Sequence, residues 1–468
     1  MTFRILEGYA TAREHIARLR SGEETLVPEQ LLARLRGIFG REISPQEAVS
    51  QIVADVRRGG DAVLRDYTER IDSIHLDQFI VEAEMIKAAY ETAPHDLRKA
   101  LHAAADRIRS FHQREPCYSW LSWESETVVG QRAIPLQRVG VYVPGGTASY
   151  PSSLLMSVIP AQVAGVPEII VTTPPGPPTP SGATGTRGPM MAILAAAHVV
   201  GLNQIFLVGG AQAIAALAYG TESVPRVDKI VGAGGLFVTL AKKQVYGDVG
   251  IDGLNGPTET LLIADETANP AWVAADLLAQ AEHDPLATPL LITPSMELAR
   301  AVQSQIARQL ASQARQVMIE QALQGQGAIL VVTDLTQALY LANEYAPEHL
   351  CLLVADPWSL IGQVRNAGGV FLGESTSEAL GDYIVGPSHI MPTRGTARFA
   401  SPLHVRDFVK VTSILAVDPV TARQLAPLAR ILAEAEGLSA HAAAIAARES
   451  PAHTSSTCRD EPSDKEKT

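Results

Sequence analysis

Hydrophobic and polar positions follow two different patterns along the chain. Up to about residue 130, apolar residues recur at helical spacing with charged residues between them, most clearly in segments 44–72 and 83–115. This pattern predicts amphipathic helices, with the Gly59-Gly60 pair breaking the first segment and Pro94 turning the second into a hairpin. The N-terminal part of the chain is therefore expected to be mostly helical.

From Val139 onward, short apolar runs alternate with helical stretches. The predicted strands of a first region lie in RVGVYVPGG, EIIVTTPP, QIFLVGG and KIVGAGG, and a helix capped near Ser152, PSSLLMSVIPAQVAG, separates the first two. A second region repeats the alternation with ETLLIAD, PLLIT, AILVVTD and GGVFLGES. Strands that alternate with helices predict an α/β fold of parallel, doubly wound sheets, with ligands at the carboxyl ends of the strands.

The last part of the chain changes character again. After Arg406, one more apolar stretch, FVKVTSILAV, precedes a helical tail. The final segment, 451–468, is polar and rich in Pro and Ser, and it is expected to be disordered. The Pro/Gly-rich segment 174–188 is expected to be an exposed loop, to which no function is assigned.

Composition narrows the classes of protein and of metal site. The net charge is −12, and an acidic surface repels phosphate backbones, which argues against a nucleic-acid partner. No apolar run reaches the length of roughly 18 residues that a membrane span needs, and the charged N-terminus lacks a secretory signal, so the expected location is cytoplasmic. The three cysteines, Cys117, Cys351 and Cys458, lie far apart, which argues against a disulfide framework or a thiolate zinc site. Any metal would be held by imidazole, carboxylate or amide groups.

Two glycine turns have the sequence pattern of a phosphate-binding site. YVPGG and LVGGAQA each place glycines after an apolar strand and before a helix. Exposed backbone N–H groups at a helix start suit a phosphate, but neither turn has the full G-x-G-x-x-G fingerprint. A dinucleotide site and a plain strand–helix turn both remain open at this point.

Four pairs of polar side chains interrupt otherwise apolar elements. They are Gln280 with His283, Glu348 with His349, Asp382 with His389, and Glu436 with His441. The first pair is three residues apart in a stretch of good helix formers, which predicts one face of a helix that ends near Pro285. Adjacent Glu348 and His349 have the chemistry of two proton acceptors. Taken singly, each pair also fits a solvated loop or a turn.

Sequence spacing alone does not bring these pairs together. If they meet in the fold, the imidazoles of His283 and His441 and the carboxylate of Asp382 suit Zn²⁺. Gln280 would then be an unusual, neutral fourth ligand. A zinc site built from distant parts of the chain is therefore one hypothesis for these residues.

Several stretches, in their order along the chain, resemble the histidinol dehydrogenases, a family that catalyses the last step of histidine biosynthesis. They are RRGGDAVLRDYTERID, RVGVYVPGGTASYPSSLLM, VGGAQAIAALAYGTESVPRVDKIVG, DLLAQAEHDP, EYAPEHL, GDYIVGPSHIMPT and GLSAHAAAI. Each stretch is a weak motif by itself. Because all seven stretches occur in the family's order between about residue 30 and residue 448, together they are specific for the family.

The resemblance implies a zinc- and NAD-dependent enzyme that oxidises L-histidinol to L-histidine through a bound aldehyde, consuming two NAD. The implied zinc ligands, one ion per subunit, are Gln280, His283, Asp382 and His441. The implied proton acceptors are Glu348 and His349, and the implied cofactor-contacting residues are Tyr142 and Gln212. The implied substrate-binding residues are Thr258, Gln280, His283, His349, Asp382, Glu436 and His441, with His389 in a supporting role.

The family fold is implied in the same way. It has two α/β domains with incomplete Rossmann-like topology, and a homodimer in which the helical tail completes the partner's site. The expected divisions are an N-terminal arm at 1–35, a helical part of the first α/β domain at 36–138, a Rossmann-like NAD-binding domain at 139–257, the remainder of the first α/β domain with the metal and catalytic residues at 258–404, a helical dimerisation tail at 405–450 and a disordered end at 451–468. No membrane or nucleic-acid partner is expected.

Two positions depart from the family pattern. Where the family commonly has Gly-Pro-Gly-Asn, this chain has Gly-Ala-Gly-Gly, so Gly235 replaces a cofactor-contacting Asn. Thr258 stands where the family has Ser, which keeps the hydroxyl and adds a methyl group. The first change removes an amide from the predicted NAD site, and the second leaves the substrate contact in place.

Two other functions remain as alternatives. A relative of the same fold would act on another small alcohol, such as a sulfonated diol. A non-catalytic dimer would bind zinc or a nucleotide. Retention of Glu436 and His441 favours histidinol over a different alcohol, and the Glu348-His349 pair argues against a protein that only binds.

Overall fold

The computed structural model describes residues 3–21, 29–124, 127–145, 149–176 and 189–449. The predicted disordered end, 451–468, and most of the predicted Pro/Gly-rich loop, 177–188, lie outside these residues. The chain divides into two compact units. The first contains Met1–Pro116 and Pro135–Val409, and the second contains Cys117–Ile134 and Lys410–Thr468.

Helices and strands alternate through most of the first unit. The helices in chain order are α1 (Tyr9–Ser21), α2 (Glu29–Phe39), α3 (Pro45–Asp72), α4 (Ala83–Thr92), α5 (His95–His112), α6 (Pro151–Ala164), α7 (Pro189–Val199), α8 (Gly210–Tyr219), α9 (Leu236–Val245), α10 (Pro270–Ala281), α11 (Met296–Leu310), α12 (Gln316–Gly325), α13 (Leu335–Tyr345), α14 (Glu378–Leu380), α15 (Pro419–Ala435) and α16 (Ser439–Ala446). The strands are β1 (Ile5–Glu7), β2 (Ile80–Glu82), β3 (Trp120–Glu124), β4 (Thr127–Pro135), β5 (Arg138–Tyr142), β6 (Glu168–Thr173), β7 (Gln204–Leu207), β8 (Lys229–Val231), β9 (Gly250–Ile251), β10 (Glu259–Ala264), β11 (Thr288–Thr293), β12 (Ala328–Val331), β13 (His349–Leu353), β14 (Gly369–Leu372) and β15 (Val409–Val417).

The N-terminal helices form as their sequence predicts. Helix α3 begins with a capping box, in which the Glu47 N–H donates to Ser44 Oγ and the Ser44 N–H donates to the Glu47 carboxylate. Gly60 has φ 53° and ψ −138°, so the helix is broken at the predicted glycine pair. The second predicted segment forms two helices, α4 and α5, which are separated near Pro94 where the turn was predicted.

The first sheet has the order β2-β7-β6-β5-β8-β9. Its strands are parallel except for β2, which is antiparallel to β7. Numbered from β5, the parallel strands have the order 3-2-1-4-5, which is the Rossmann order without its sixth strand. The prediction of an incomplete Rossmann-like fold is confirmed for this region.

The second sheet repeats this topology. Its order is β1-β12-β11-β10-β13-β14, and every pair of neighbours is parallel. Numbered from β10, the order is again 3-2-1-4-5, with β1 added at one edge. All residues of β10, β11 and β13 are buried, because helices cover both faces of such a sheet.

The N-terminal region is mostly helical, as predicted, although the sequence pattern did not predict β1 and β2, which are too short to show a period. One detail of the predicted secondary structure is wrong. Helix α6 begins with Pro151 at its first turn and Tyr150 as N-cap, without a side-chain cap, so Ser152 is not the capping residue. Pro fits there because the first helical N–H needs no partner within the helix.

The second unit is small and exposes apolar side chains. It contains the sheet β15-β4-β3 and the packed helices α15 and α16. Its exposed apolar side chains include Tyr118, Trp120, Trp123, Val411, Leu415, Leu425, Leu428, Ile431 and Leu432. Of the helices within the described ranges, none is long and apolar enough to cross a membrane.

Candidate active site

The predicted proton acceptors, Glu348 and His349, lie at the amino end of β13. His349 is the first residue of β13 and faces Thr260, the second residue of β10. Strands β10 and β13 flank the point where the strand order of the second sheet reverses, and such folds usually form their ligand crevice there, at the carboxyl ends of the strands. The expectation that ligands lie at carboxyl ends does not describe this site, because these side chains occupy the opposite edge.

The ring of His349 is held in one orientation. Its Nδ1 lies 3.2 Å from the main-chain oxygen of Glu259, which accepts hydrogen bonds only, so Nδ1 carries the proton. Its Nε2 is buried and has no hydrogen-bond partner among the described residues, and lies 3.7 Å from Asp382 Oδ1. Burial lowers the pKa of His349, partly opposed by the Asp382 carboxylate. Nε2 is therefore the acceptor atom of the ring, and it faces the Asp382 side chain.

Glu348 is buried beside this ring. Its Oε2 accepts hydrogen bonds from Thr258 Oγ1, at 2.7 Å, and from the Glu259 N–H, at 3.0 Å. Burial raises the pKa of Glu348 well above its ordinary value, although both hydrogen bonds act in the opposite direction. The arrangement fixes one carboxylate oxygen and leaves the other for chemistry.

Thr258 connects Glu348 to the predicted metal ligand Gln280. Nε2 of Gln280 donates to Thr258 Oγ1 at 2.6 Å. Gln280 is fully buried, and its Oε1 has no hydrogen-bond partner in the part of the chain that the structure describes. An unpaired buried carbonyl oxygen is costly unless a ligand satisfies it.

His283 lies just beyond the helix that holds Gln280. The prediction that one helix presents both residues is wrong in detail, because α10 ends at Ala281 and His283 is in the following turn. The His283 N–H donates to the Gln280 main-chain oxygen, with 3.4 Å between nitrogen and oxygen, so the backbone from Gln280 to His283 forms a helix-like turn. His283 is exposed, and it contributes electrostatically to the lowered pKa of His349.

Asp382 lies in a π-helical turn, Gly381–Val385. Its main-chain oxygen accepts a hydrogen bond from His389 Nδ1 at 2.7 Å, and His389 Nε2 lies 3.0 Å from Ser153 Oγ on α6. The predicted supporting residue His389 thus links this turn to a helix of the first sheet. Turns of this type are frequent at functional sites because they re-aim one side chain.

A buried carboxylate that the sequence analysis missed completes this cluster. Glu378 Oε1 lies 3.6 Å from His349 Nδ1, and Glu378 Oε2 accepts a hydrogen bond from Thr260. Burial, together with the Asp382 and Glu348 carboxylates, raises the pKa of Glu378 well above its ordinary value. The sequence signal that could have identified Glu378 is its position four residues before Asp382, which is about one helical turn.

Among the described His, Cys, Asp and Glu side chains, one group has the geometry to hold a metal ion. Ligand atoms of His349, Glu378 and Asp382 lie within 4.8 Å of one another. This group shares only Asp382 with the ligand set that the resemblance implies. Gln280 would bind a metal through its amide oxygen, whereas that group consists of an imidazole and two carboxylates.

The predicted cofactor residues lie at the carboxyl edge of the first sheet. Tyr142 ends β5, and its hydroxyl accepts a hydrogen bond from the Gly210 N–H at 3.2 Å. Gln212 lies in the first turn of α8, is almost fully buried, and neither polar atom of its side chain has a partner among the described residues. The hydroxyls of Thr172 and Thr173, at the end of the neighbouring strand β6, are likewise unpaired within the described chain. A group of unpaired polar atoms at this edge is typical of a ligand site.

Glu436 and His441 belong to the second unit. Glu436 follows α15 as its C-cap residue, and His441 lies in α16. Both side chains are exposed. The other predicted site residues all belong to the first unit.

A family model, described as histidinol dehydrogenase, matches residues 41–449. The chain belongs to the histidinol dehydrogenase family. A histidinol dehydrogenase of Deinococcus radiodurans is 49% identical over 446 residues, which is 95% of this chain and 99% of that protein. One from Moorella thermoacetica is 51% identical, over 90% of this chain and 96% of that protein. The crystal structure of histidinol dehydrogenase from Elizabethkingia anophelis matches with a TM-score of 0.81 at 34% identity, over 90% of this chain and 96% of that one.

As a member of the histidinol dehydrogenase family, the chain is a dehydrogenase, and the predicted family is confirmed. In this member, the first unit brings Thr258, Gln280, Glu348, His349 and Asp382 into one connected cluster. Tyr142 and Gln212 lie at the edge of the other sheet.

Proposed function

We propose that this chain oxidises L-histidinol to L-histidine through a bound L-histidinaldehyde, using two NAD and one Zn²⁺ per subunit, as the last step of histidine biosynthesis in the cytoplasm. The observation that supports this most directly is the pair of buried acceptors at the amino ends of β10 and β13. Glu348 and the free Nε2 of His349 lie beside an unpaired amide oxygen and a carboxylate. A binding protein has no use for two adjacent proton acceptors held this way.

The donor set fits a zinc ion. Gln280 Oε1 is buried and unpaired within the described chain, while its Nε2 is occupied by Thr258, so the oxygen is the atom left for a metal. Asp382 adds a carboxylate and His283 adds an imidazole, which zinc accepts, and the resemblance implies a second imidazole from His441. When bound, zinc supplies a positive charge that holds the substrate's imidazole and amine and orients its carbinol.

The carboxyl edge of the first sheet fits a dinucleotide. Gln212 and the two threonines leave buried polar side-chain atoms unpaired there, within the described residues, and helix α8 begins beside them, where a helix N-terminus favours a phosphate. When bound, NAD accepts the hydride in each of the two oxidations. Tyr142 and Gln212 are the residues that we assign to cofactor contact.

Proton transfer follows from the orientation of His349. Its Nε2 takes the hydroxyl proton of the alcohol as the carbon–hydrogen bond is broken, and Glu259 stabilises the imidazolium through Nδ1–H. Glu348 removes a proton from water as the water oxygen adds to the aldehyde carbon, which gives the hydrate anion. His349, after releasing its first proton, accepts the remaining hydroxyl proton of that anion as the second hydride leaves, and the product is the carboxylate. One proton from the alcohol, one from water and one from the hydrate anion explain why two acceptors lie side by side.

We further propose a homodimer in which the second unit of each subunit contributes Glu436 and His441 to the partner's site. The exposed apolar side chains of the second unit support this, because a monomer rarely exposes so many. Exposure of both Glu436 and His441 is consistent with the same arrangement.

The test is NADH formation from L-histidinol and NAD by the zinc-loaded protein, with and without a chelator. We expect two NADH for each histidine formed, loss of activity on chelation, and recovery when zinc is returned. A panel of small polyols, including a sulfonated diol, is assayed in parallel. Turnover of a diol without turnover of histidinol would refute the proposed substrate, and zinc-loaded protein inactive on every alcohol would refute the enzyme.

A further inference from the structure

A buried ion pair holds the turn that follows strand β8. Lys242 Nζ contacts Asp252 Oδ1, and the two side chains are 2% and 5% exposed. Removing two charges from water costs free energy that their attraction often does not recover, so a pair this deeply buried is weak evidence for stability. The other hydrogen bonds of Lys242 and Asp252 indicate instead that the pair holds the backbone of the turn in place.

Those hydrogen bonds converge on a single peptide. Lys242 Nζ donates to the Gly232 main-chain oxygen at 3.0 Å, and the Gly232 N–H donates to Asp252 Oδ2 at 2.7 Å. Asp252 Oδ1 also accepts from the Gly253 N–H at 2.7 Å. Both polar groups of Gly232 are thus held by side chains and not by a strand ladder.

Gly232 in turn lies directly against Tyr142. Its φ of 115° is in the left-handed region, and a Cβ at this position would be 2.1 Å from the Tyr142 main-chain oxygen. No other residue fits so close an approach. Since the Tyr142 hydroxyl accepts from the Gly210 N–H, the ion pair, Gly232, Tyr142 and the N-terminus of α8 form one connected series of contacts.

Gly235, at the end of this turn, makes the placement of the backbone more important. Gly235 is the N-cap of α9. As a glycine it has no side chain, and nothing lies within 4 Å of where a Cβ would be. From Gly232 to Gly235 the turn carries no polar side chain, so its only polar groups are those of the main chain. Recognition at this turn therefore depends on where its backbone is held.

We propose that Lys242 and Asp252 are positioning residues for NAD, which act by holding the Gly232–Gly235 turn against Tyr142. This inference rests on the proposed NAD-dependent function. The pair contacts no reacting atom. It sets the geometry of a backbone that the dinucleotide contacts, and such preorganisation raises affinity without altering the chemical step.

The test compares Lys242→Met and Asp252→Asn with wild type in steady-state assays with saturating L-histidinol. Lys242→Met removes the donor to Gly232 at nearly unchanged volume, and Asp252→Asn removes the charge while keeping an oxygen acceptor. We expect KM for NAD, and the Kd of NADH from its fluorescence, to rise at least about tenfold in Lys242→Met and less in Asp252→Asn. We expect kcat at saturating NAD and KM for histidinol to stay within about twofold.

Lys229→Met is the matched control. Lys229 forms a second ion pair in the same unit, with Asp407, and its Nζ also donates to a main-chain oxygen, that of Asp407. It begins β8, at the end of the strand opposite the turn. This variant is expected to change thermal stability without changing KM for NAD.

The outcomes separate the two proposals. Wild-type protein that forms no NADH from histidinol refutes the proposed function. Active wild type with unchanged KM for NAD in a folded Lys242→Met refutes the positioning role, and so does an equal rise in Lys229→Met. If Lys242→Met does not fold, Asp252→Asn decides, and an unchanged Kd for NADH in it refutes the proposal.

Discussion

The main-chain oxygen of Glu259 lies 3.2 Å from Nδ1 of His349. The N–H of the same residue donates to Glu348 Oε2 at 3.0 Å, so a single residue at the start of β10 holds both predicted proton acceptors. Because β10 and β13 are neighbouring strands of a buried parallel sheet, close packing holds the backbone from which the two acceptors extend. This rigidity is what a preorganised acid–base pair requires.

Glu348→Gln tests the role of the carboxylate. Glutamine keeps an oxygen to accept from Thr258 and Glu259 but is a far weaker base, so we expect the formation of histidine to fall about 10²- to 10⁴-fold. Zinc content and thermal stability should stay near wild type, because the hydrogen bonds survive. NADH formation under steady-state conditions and metal analysis of the purified variant check this. Activity within twofold of wild type would exclude Glu348 as a proton acceptor.

His283→Ala tests the predicted metal ligand that lies in the turn after α10. The side chain is exposed in the single chain, so its removal costs little packing, and the expected effect is loss of bound zinc together with activity. Replacement of its neighbour, Glu282→Ala, is the control and should retain both. Zinc is measured by elemental analysis after dialysis. Zinc content equal to wild type in His283→Ala would remove this residue from the ligand set.

The sequence pattern predicted most of the fold, for a physical reason. Parallel strands buried on both faces are continuous apolar runs, as in β10 and β11, and such runs are easily recognised between amphipathic helices. Strands β1 and β2 were missed because three residues show no period, and because their pairing with distant strands is decided by tertiary contacts.

The candidate site was predictable only through the resemblance. Pairs such as Gln280 with His283 are ordinary locally, and sequence spacing does not reveal that Gln280, Thr258 and Glu348 form one hydrogen-bonded series. Glu378 was overlooked because an acidic residue at a helix start is usually a surface group. Its burial follows from the packing around β10 and β13, which no local pattern records.

Thr258→Val tests the hydroxyl that connects Gln280 to Glu348. Valine has the same shape but leaves the Gln280 amide and the Glu348 carboxylate each short of one hydrogen bond. We expect kcat/KM for histidinol to fall by about one to two orders of magnitude, since each buried unpaired group costs about 1–3 kcal/mol. Thr258→Ser, which keeps the hydroxyl, should stay within a few-fold of wild type. Equal kinetics in the Val and Ser variants would show that the hydroxyl is dispensable.

Gly235→Asn tests the departure from the family pattern at the predicted cofactor site. The residue has φ −67°, an ordinary backbone conformation, and nothing lies within 4 Å of a Cβ there, so the side chain fits without strain. We expect KM for NAD to fall about two- to tenfold, the effect of one added hydrogen bond. Gly235→Ala adds a Cβ without the amide and should not lower KM. Should both variants behave alike, the gain does not come from the amide.

Asp72→Asn tests the pH dependence of stability. Burial raises the pKa of Asp72 from its ordinary 3.8 to about 6, with Arg34 opposing the shift, and its Oδ2 has no hydrogen-bond partner among the described residues. A folded-state pKa above the unfolded value means that the stability contribution is present below about pH 3.8 and is lost as the pH rises through about 6. The difference corresponds to at most about 3 kcal/mol, and partial contact with water reduces it to about 1–2 kcal/mol.

The asparagine variant should therefore be more stable than wild type by about 1–2 kcal/mol at pH 8, and this advantage should disappear near pH 4. Urea unfolding followed by circular dichroism at both pH values measures it. Asp66→Asn, on the same helix with an exposed side chain paired to Arg70, is the control and should give no gain at pH 8. A stabilisation by Asp72→Asn that is equal at pH 4 and pH 8 would show that the buried charge is not its cause, since only the ionised carboxylate carries the desolvation cost.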